Sequence, residues 1–229
     1  LRVDEPAVQL GADGIELRGQ LFQFGADTVP VVVDGRHALF IAAVRHLVAL
    51  GVEAVAHRTA RAALESAVEE IRQQLPIDPY DRELYLYDRL MERCSYDAAA
   101  AAGTKNDPQS YTAYGALVAG KAVCEGYARA LQLLLTDAGL TGVPVTGFDR
   151  SSQNGHMWNL VQVNGALYYL DATYDDTGEI PHHRFFNITT QQLLQDRTID
   201  DSPFWGEECT ATADNYYVRQ GTYVDTYQR

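Results

Sequence analysis

Basic residues are scarce in this chain of 229 residues: 18 lysines and arginines face 31 aspartates and glutamates, for a formal net charge of −13. Binding to nucleic acid or to an anionic membrane surface requires clustered Lys and Arg, so the charge balance argues against both partners. Long apolar runs are also missing. The most apolar stretch, 37–50, contains Arg45 and His46 and is too short to cross a bilayer.

Cysteine is rare as well, with only Cys94, Cys124 and Cys209. Their spacing does not match a tetrahedral zinc site, and an odd number leaves one thiol without a partner after any pairing. A Cys94–Cys209 bridge would close a loop of more than 100 residues. The chain-entropy model values such a bridge at roughly 4–5 kcal/mol. The alternative is three thiols in a reduced, cytosolic protein.

Three features of the sequence bear on where the protein works. The chain begins with Leu1 rather than Met, as a sequence cut after a signal or anchor would, and it has 14 tyrosines but only 2 methionines. A Cys94–Cys209 bridge would leave one thiol, which suits an exported thiol enzyme. We therefore predict an exported or surface-anchored protein, with a cytosolic location as the alternative.

The first third of the chain combines strand and helix signals. Residues 1–35 contain strand-like segments (VQL, GIELRGQLFQF and VPVVV) separated by Gly and Asp turn signals. Apolar periodicity then predicts two helices, 38–50 ended by Gly51 and about 58–74 ended by Pro76. We predict that 1–75 is an N-terminal α/β extension and 76–229 a separate domain.

The second part of the chain combines helix and strand signals. Helices are expected at about 79–93, with Asp78 as N-cap, and at about 124–138, with Gly139 as C-cap. The segment 97–110 reads as a surface loop, with a helix as the alternative for its alanine run. A short strand, 143–148, follows, and no internal repeat is present.

An Asn164-Gly165 pair joins two alternating segments, HMWNLVQV and ALYYLDAT, and predicts a two-residue β-hairpin turn. The turn fixes the register, so His156 is expected opposite Thr173 and Asp171 opposite Trp158. His156 and Asp171 are then diagonal neighbours on one face, close enough for an imidazole–carboxylate hydrogen bond.

Cys124 stands where the helix of about 124–138 begins. A helix N-terminus favours a thiolate, and Gly126 removes a side chain from the first turn, which should let the strand with His156 approach. Cys124, His156 and Asp171 would then act as nucleophile, base and orienting residue. The structural alternatives are a buried thiol, a packed histidine and a carboxylate that caps the strand end.

The segments YGALVAGKAVCEGYARALQLLLTDAGL and GHMWNLVQVNGALYYLDATYDD resemble the bacterial proteins of the transglutaminase-like superfamily. Cys124, His156 and Asp171 match that family's V-C-x-G-Y-A, H-x-W-N and D-A/P-T-W-D blocks, and the resemblance extends over roughly 80–218. Two positions depart from the pattern: Met157 replaces the usual Ala and Tyr174 the usual Trp.

The resemblance implies a papain-like α+β fold, with the nucleophile helix packed on an antiparallel sheet. It also implies acyl transfer from peptide or side-chain amides through a Cys124 thioester. We predict no cofactor and no metal. Water as acceptor makes a cysteine peptidase or amidase, which we favour because no amine-binding feature is visible; an amine acceptor makes a transglutaminase. A non-catalytic protein-binding module that keeps the fold is the third alternative.

Two further sets of residues are candidates at the site. We predict Tyr114 as a second oxyanion donor, because it lies ten residues before the nucleophile, and Trp158 as a cleft aromatic that shields the site from water. Tyr111, Tyr127 and Tyr174 are additional candidates for cleft aromatics, but core packing is the favoured interpretation of each. An acidic, histidine-containing segment is read as a solvated loop, with metal binding as the alternative; its members are Asp175, Asp176, Glu179, His182 and His183.

Overall fold

The fold is that of a computed structural model, which describes residues 8–11, 14–17, 20–21, 35–176, 182–200 and 209–222. The chain divides into two compact units, Leu1–Thr59 and Ala60–Arg229. In the described part of the chain, no helix combines the length and the apolar character needed to span a membrane.

The first unit contains a small antiparallel sheet in the order β1-β2-β3. Its strands are β1 (Val8–Gly11), β2 (Gly14–Leu17) and β3 (Gln20–Leu21). The strand expected at VQL is confirmed. The segment GIELRGQLFQF contains two short strands, β2 and β3, and its remaining residues lie outside the described part of the chain, as does the segment VPVVV.

A single helix, α1 (Gly35–Arg72), replaces the two helices predicted on either side of Gly51. The prediction of a stop at Gly51 was wrong. A glycine inside a helix costs only about 1 kcal/mol relative to alanine, and the residues that follow it contain no proline before Pro76. Continuing the helix adds one backbone hydrogen bond per residue, which outweighs that cost.

The second unit places helices and short strands before a four-stranded antiparallel sheet. Its helices are the C-terminal part of α1, α2 (Pro79–Arg93), α3 (Ala98–Ala101), α4 (Cys124–Asp137), α5 (Ala172–Asp175), α6 (Thr190–Asp196) and α7 (Tyr216–Arg219). Its strands are β4 (Ser95–Tyr96), β5 (Lys121–Ala122), β6 (Thr141–Asp149), β7 (Gly155–Val163), β8 (Ala166–Leu170) and β9 (Arg197–Ile199). A 3-10 turn covers Pro108–Tyr111 and a π-helical turn covers Gly115–Ala119.

The helix ends follow the capping signals in the sequence. Asp78 accepts hydrogen bonds from the backbone N–H groups of Tyr80 and Asp81, and Pro79 occupies the first turn of α2, as predicted. Gly139 has a φ of 77° just after α4, which confirms it as the C-terminal signal. The alanine run forms α3 because Asp97 accepts a hydrogen bond from the Ala100 N–H at 3.1 Å, so reading all of 97–110 as loop was wrong.

The sheet has the strand order β8-β7-β6-β9, and α4 packs against it. Asn159 on β7 donates a hydrogen bond from Nδ2 to the Ala128 carbonyl of α4 at 2.9 Å. A second cluster lies around Trp158, Leu160 and Tyr169. Along β7, Trp158 and Leu160 point to one face of the sheet, and Val161 and Val163, which belong to the larger cluster, point to the other. A helix that carries the cysteine and packs on an antiparallel sheet is the α+β architecture expected from the sequence.

One carboxyl group of α2 lies inside the larger core. Glu83 is completely buried, and its Oε2 accepts a hydrogen bond from Asn187 Nδ2 at 2.8 Å. Its Oε1 and the buried Oδ1 of Asn187 have no hydrogen-bond partner among the described residues. Burial raises the pKa of Glu83 to about 8, although the Asn187 hydrogen bond opposes this and nearby Asp214 adds to it.

The Glu83→Gln variant is therefore expected to lose a pH dependence of stability that the natural protein has. The folded pKa of Glu83 lies above its unfolded value, so its contribution is complete below the unfolded pKa and is lost as pH rises through about 8. Between pH 5 and 9 the wild-type protein should lose on the order of 3–5 kcal/mol of its free energy of unfolding through Glu83, and the variant should not show this loss. Urea unfolding across this range measures it, with Glu92→Gln on the exposed face of α2 as control. Parallel pH curves for the wild type and Glu83→Gln would contradict the prediction.

Candidate active site

Cys124 is placed by the short parallel pair of β4 and β5, in which Tyr96 lies beside Ala122. Gly120 has a φ of 73° and turns the chain from the π-helical turn into β5. The Val123 N–H donates to the Ser110 carbonyl at 2.9 Å, and α4 then begins at Cys124 with no side chain capping it. The thiol is partly exposed, as a nucleophile requires.

A side chain at position 126 would clash with a different neighbour from the one predicted. A Cβ at this position would lie 2.5 Å from the Ser110 carbonyl oxygen and 2.7 Å from the Ala122 Cβ. Gly126 therefore lets α4 approach the 3-10 turn and β5. The expectation that it makes room for the strand with His156 was wrong, because the crowding comes from upstream segments brought in by tertiary packing.

The predicted hairpin is confirmed, including its register. Asn164 and Gly165 have φ values of 50° and 80°, as a type I′ turn requires, and Val163 pairs with Ala166. The ladder ends at the Asn159–Leu170 pair.

Beyond Leu170 the chain leaves the sheet. Thr173 therefore lies in α5 and Asp171 at its N-cap, and neither is paired in the ladder with His156 or Trp158 as predicted. Asp171 caps α5 and accepts a hydrogen bond from the Tyr174 N–H at 3.3 Å. Aspartate is a favoured N-cap residue, so Asp171 can begin a helix as readily as it can continue a strand. The expected contact nevertheless forms: His156 Nε2 lies 2.8 Å from Asp171 Oδ2.

Both members of this pair are buried and depend on each other electrostatically. Burial alone would lower the pKa of His156, but the charge and hydrogen bond of Asp171, together with a hydrogen bond to Cys124, raise it to about 9. Burial would raise the pKa of Asp171, yet His156 and then Arg197 hold it below its ordinary value. Since Nε2 faces Asp171, Nδ1 is the imidazole nitrogen left for the Cys124 thiol.

Arg197, at the start of β9, belongs to this group of residues and carried no signal in the sequence. Its Nε and Nη2 donate to Asp171 Oδ2 at 3.0 and 2.8 Å, and its side chain is completely buried. β9 has only three residues, too few for a periodic pattern. Its position next to the site depends on the antiparallel pairing of Arg197 with Asp149 on β6.

Aromatic rings enclose the imidazole on two sides. The Trp158 ring lies 5.7 Å from the His156 ring in a stacked orientation and is 1% exposed, so it shields His156 within the core. The Tyr174 ring meets His156 edge-on at 4.9 Å, and its hydroxyl donates to Asp149 Oδ2 at 2.6 Å. A tyrosine in place of the family's tryptophan thus gains a carboxylate partner at this position.

The other tyrosine candidates have different surroundings. Tyr114 is half-buried just before the π-helical turn, and its role as an oxyanion donor stays a prediction. Burial, followed by the charges of Cys124 and Tyr111, raises the pKa of Tyr96. Tyr111 donates to the Ala100 carbonyl at 3.2 Å, and Tyr127 donates to Asp176.

The acidic segment after Asp171 has structural partners. Asp175 is buried and accepts hydrogen bonds from the Tyr87 hydroxyl and the Phe185 N–H. His183 lies 2.7 Å from Asp88 and stacks on Tyr216. Glu179 lies outside the described residues. Within the described ranges, no three His, Cys, Asp or Glu side chains are grouped as metal ligands.

The predicted Cys94–Cys209 bridge was wrong. All three cysteines are thiols in the structure. Cys94 is buried in the larger core cluster and Cys209 in the cluster around Trp158, on the other side of the sheet. Counting cysteines cannot detect such a separation, because it depends on which face of a sheet each one packs against.

These features define an α+β protein in which a partly exposed thiol at a helix start meets an imidazole–carboxylate pair. Residues 67–172, which contain Cys124, His156 and Asp171, match the sequence model of the transglutaminase-like superfamily. Over this segment the chain is similar to the transglutaminase-like superfamily. No curated protein matches its sequence.

Similar solved structures share low identity with the chain. A TGase is 17% identical over 55% of this chain and 34% of its own, with a TM-score of 0.44. A candidate cysteine protease from Cytophaga hutchinsonii is 14% identical over 61% and 41%, with a TM-score of 0.41. A candidate protease from Parabacteroides distasonis is 12% identical over 54% and 26%, with a TM-score of 0.34. This chain thus spans less than half the length of each.

Iodoacetamide is expected to modify Cys124 at pH 6–7 well before Cys94 or Cys209. Cys94 is 6% exposed, and burial raises its pKa to about 12 although Tyr127 donates a hydrogen bond to it. Its thiolate fraction at pH 7 is therefore on the order of 10⁻⁵. Peptide mapping after timed alkylation measures the three rates, and Cys124→Ser should remove the fast phase only. Equal rates for all three thiols in the folded protein would refute the prediction.

Proposed function

We propose that the protein is a thiol-dependent acyl-transfer enzyme that cleaves peptide or side-chain amides as a cysteine peptidase or amidase. The observation that carries the proposal is the 2.8 Å contact between His156 Nε2 and Asp171 Oδ2, with the partly exposed Cys124 thiol at the start of α4 close enough to raise the pKa of the same imidazole. Nucleophilic catalysis by a thiol needs an imidazole beside the thiol and a carboxylate that orients the imidazole.

The first half-reaction follows from these contacts. Cys124 transfers its proton to His156 Nδ1, and the thiolate attacks the amide carbonyl carbon. The backbone N–H of Cys124, at the uncapped start of α4, donates to the developing oxyanion. His156 then protonates the leaving amine, the C–N bond breaks, and the acyl group stays on Cys124 as a thioester.

In the second half-reaction His156 removes a proton from the acceptor, which attacks the thioester and releases the Cys124 thiol. Throughout, Asp171 accepts the Nε2 hydrogen bond and offsets the imidazolium charge. Water as acceptor gives hydrolysis, which we favour because it needs no additional binding site. A primary amine would give the transglutaminase reaction instead.

Incubation with a peptide library, with and without a primary amine, tests the proposal. We expect new peptide termini or deamidated side chains in both conditions, and a thioester adduct on Cys124 by intact-mass spectrometry at low pH. Amine incorporation that dominates over hydrolysis would assign the transglutaminase reaction. Failure of Cys124 to acylate under any condition would favour the non-catalytic binding module. The exported or surface location stays a prediction, now without the bridge that partly motivated it.

A further inference from the structure

Arg197 is an unusual residue for the interior of this sheet. An arginine side chain is rarely buried completely unless it is paired, because it stays charged and desolvation is costly. Here its exposure is 0%, and two of its nitrogens donate to Asp171 Oδ2 at 3.0 and 2.8 Å. The same oxygen lies 2.8 Å from His156 Nε2, so one carboxylate oxygen serves three N–H donors on two side chains.

The guanidinium is held in place by more than this ion pair. Its carbon lies 3.9 Å from the Tyr174 ring centroid and 4.7 Å from that of Phe185. The backbone of Arg197 is held as well, because its carbonyl accepts a hydrogen bond from Arg150 Nε at 2.9 Å. Tyr174 in turn contacts His156, so one aromatic side chain touches both partners of Asp171.

We infer that Arg197 is the positioning residue of the site: it fixes the orientation of the Asp171 carboxylate and shares its charge with His156. The inference rests on the proposed function for its catalytic meaning. A carboxylate held only by the imidazole could rotate and would give its full charge to the imidazolium. With Arg197 present, the carboxylate is fixed and the imidazolium is less strongly retained, which helps His156 to release its proton to the leaving amine.

Several other titratable groups interact with His156 or Asp171 and must be considered in any pH experiment. They are Cys124 from α4, Tyr174 and Asp175 from α5, Tyr87 from α2, and Asp149 from β6, which acts through the Tyr174 hydroxyl. Arg197 is the arginine that contacts Asp171 directly, and its charge lies within about 6 Å of the imidazole because both bind one oxygen.

Two measurements that need no substrate test the inference: the NMR titration of His156 and the pH profile of Cys124 alkylation. The Arg197→Met variant should raise the His156 midpoint by roughly one to two pH units, since it removes a cation that repels the imidazolium. The basic limb of the alkylation profile should move with it. Arg197→Lys keeps the charge and should stay within about half a unit of wild type.

Arg219→Met is the matched control. Arg219 also stacks on a tyrosine, Tyr80, at 3.8 Å and pairs with Asp214, without contacting Asp171. It should leave both profiles unchanged. A folded Arg197→Met protein with the wild-type His156 midpoint would overturn the inference, because a merely structural role would lower stability without moving this titration.

If Arg197→Met does not fold, the double variant Asp171→Asn/Arg197→Met removes both buried charges and restores a neutral site. Relative to Asp171→Asn alone, it should raise the His156 midpoint, since the cation that repels the imidazolium is gone. A midpoint equal to that of Asp171→Asn would refute the inferred action of Arg197 on His156. Turnover is measured separately with the amide substrates, so an inactive wild type would overturn the proposed function while both profiles still test Arg197.

Discussion

Replacing His156 with alanine is expected to reduce acylation of Cys124 by roughly 10³–10⁴-fold while leaving the protein folded. In the proposed mechanism, His156 both removes the thiol proton and protonates the leaving amine. Its contacts with Cys124 and Asp171 are polar, and the cavity left by the ring is bordered by Trp158 and Tyr174. The initial rate of thioester formation, followed by intact-mass spectrometry, measures the effect.

His183→Ala provides the matched control. His183 also pairs with an aspartate, Asp88, and stacks on an aromatic ring, Tyr216, at 4.0 Å. It makes no contact with Cys124 in the described part of the chain, so its loss should leave acylation at the wild-type rate. If His156→Ala and His183→Ala acylate equally fast, His156 is not the general base and the proposed mechanism is wrong.

Replacing Asp171 with asparagine is expected to lower the acylation rate at neutral pH by roughly 10³–10⁴-fold. The amide cannot offset the imidazolium charge, so burial should prevail and move the pKa of His156 down from about 9 toward or below its ordinary value. The ion pair between Cys124 and His156 would then be populated less. Rates measured from pH 5 to 10 should show the basic limb displaced to lower pH.

Asp171→Asn should also destabilise the fold, because it leaves the buried Arg197 cation without its counter-charge. Breaking a buried pair in this way costs on the order of 3–5 kcal/mol. Asp171 has a lowered folded pKa, so its contribution is present above the unfolded value and is lost as pH falls through the folded one. Asp88→Asn, at the partly exposed His183 pair, should cost much less. Equal stability losses for the two variants would contradict this account.

Much of the site followed from local patterns in the sequence. The Asn164-Gly165 turn set the hairpin register, because only a few residue pairs tolerate positive φ at both positions. The apolar stripe after Cys124 predicted α4, and the alternation of β7 placed His156 and Trp158 on one face. Each of these features depends on residues close in sequence, so a single chain is enough to recognise them.

Errors arose where long-range packing chose between local options. Gly51 could end a helix or be included in one, and the chain continues the helix. Gly126 could face several neighbours, and Ser110 and Ala122 occupy the space. Asp171 could continue β8 or cap α5, and it caps α5 while still reaching His156. In each case both options satisfy local sterics, and neighbouring segments decide.

Local patterns were enough to predict the helix that begins at Cys124, the hairpin and the placement of His156 near Asp171, because turn geometry and side-chain periodicity act over a few residues. Long-range packing brings Arg197 to this group, 26 residues after the aspartate it binds. It also separated Cys94 from Cys209 and buried Glu83 against Asn187. Those outcomes depend on which segments pack together, and a charge inside a core is stabilised only by partners that folding brings to it.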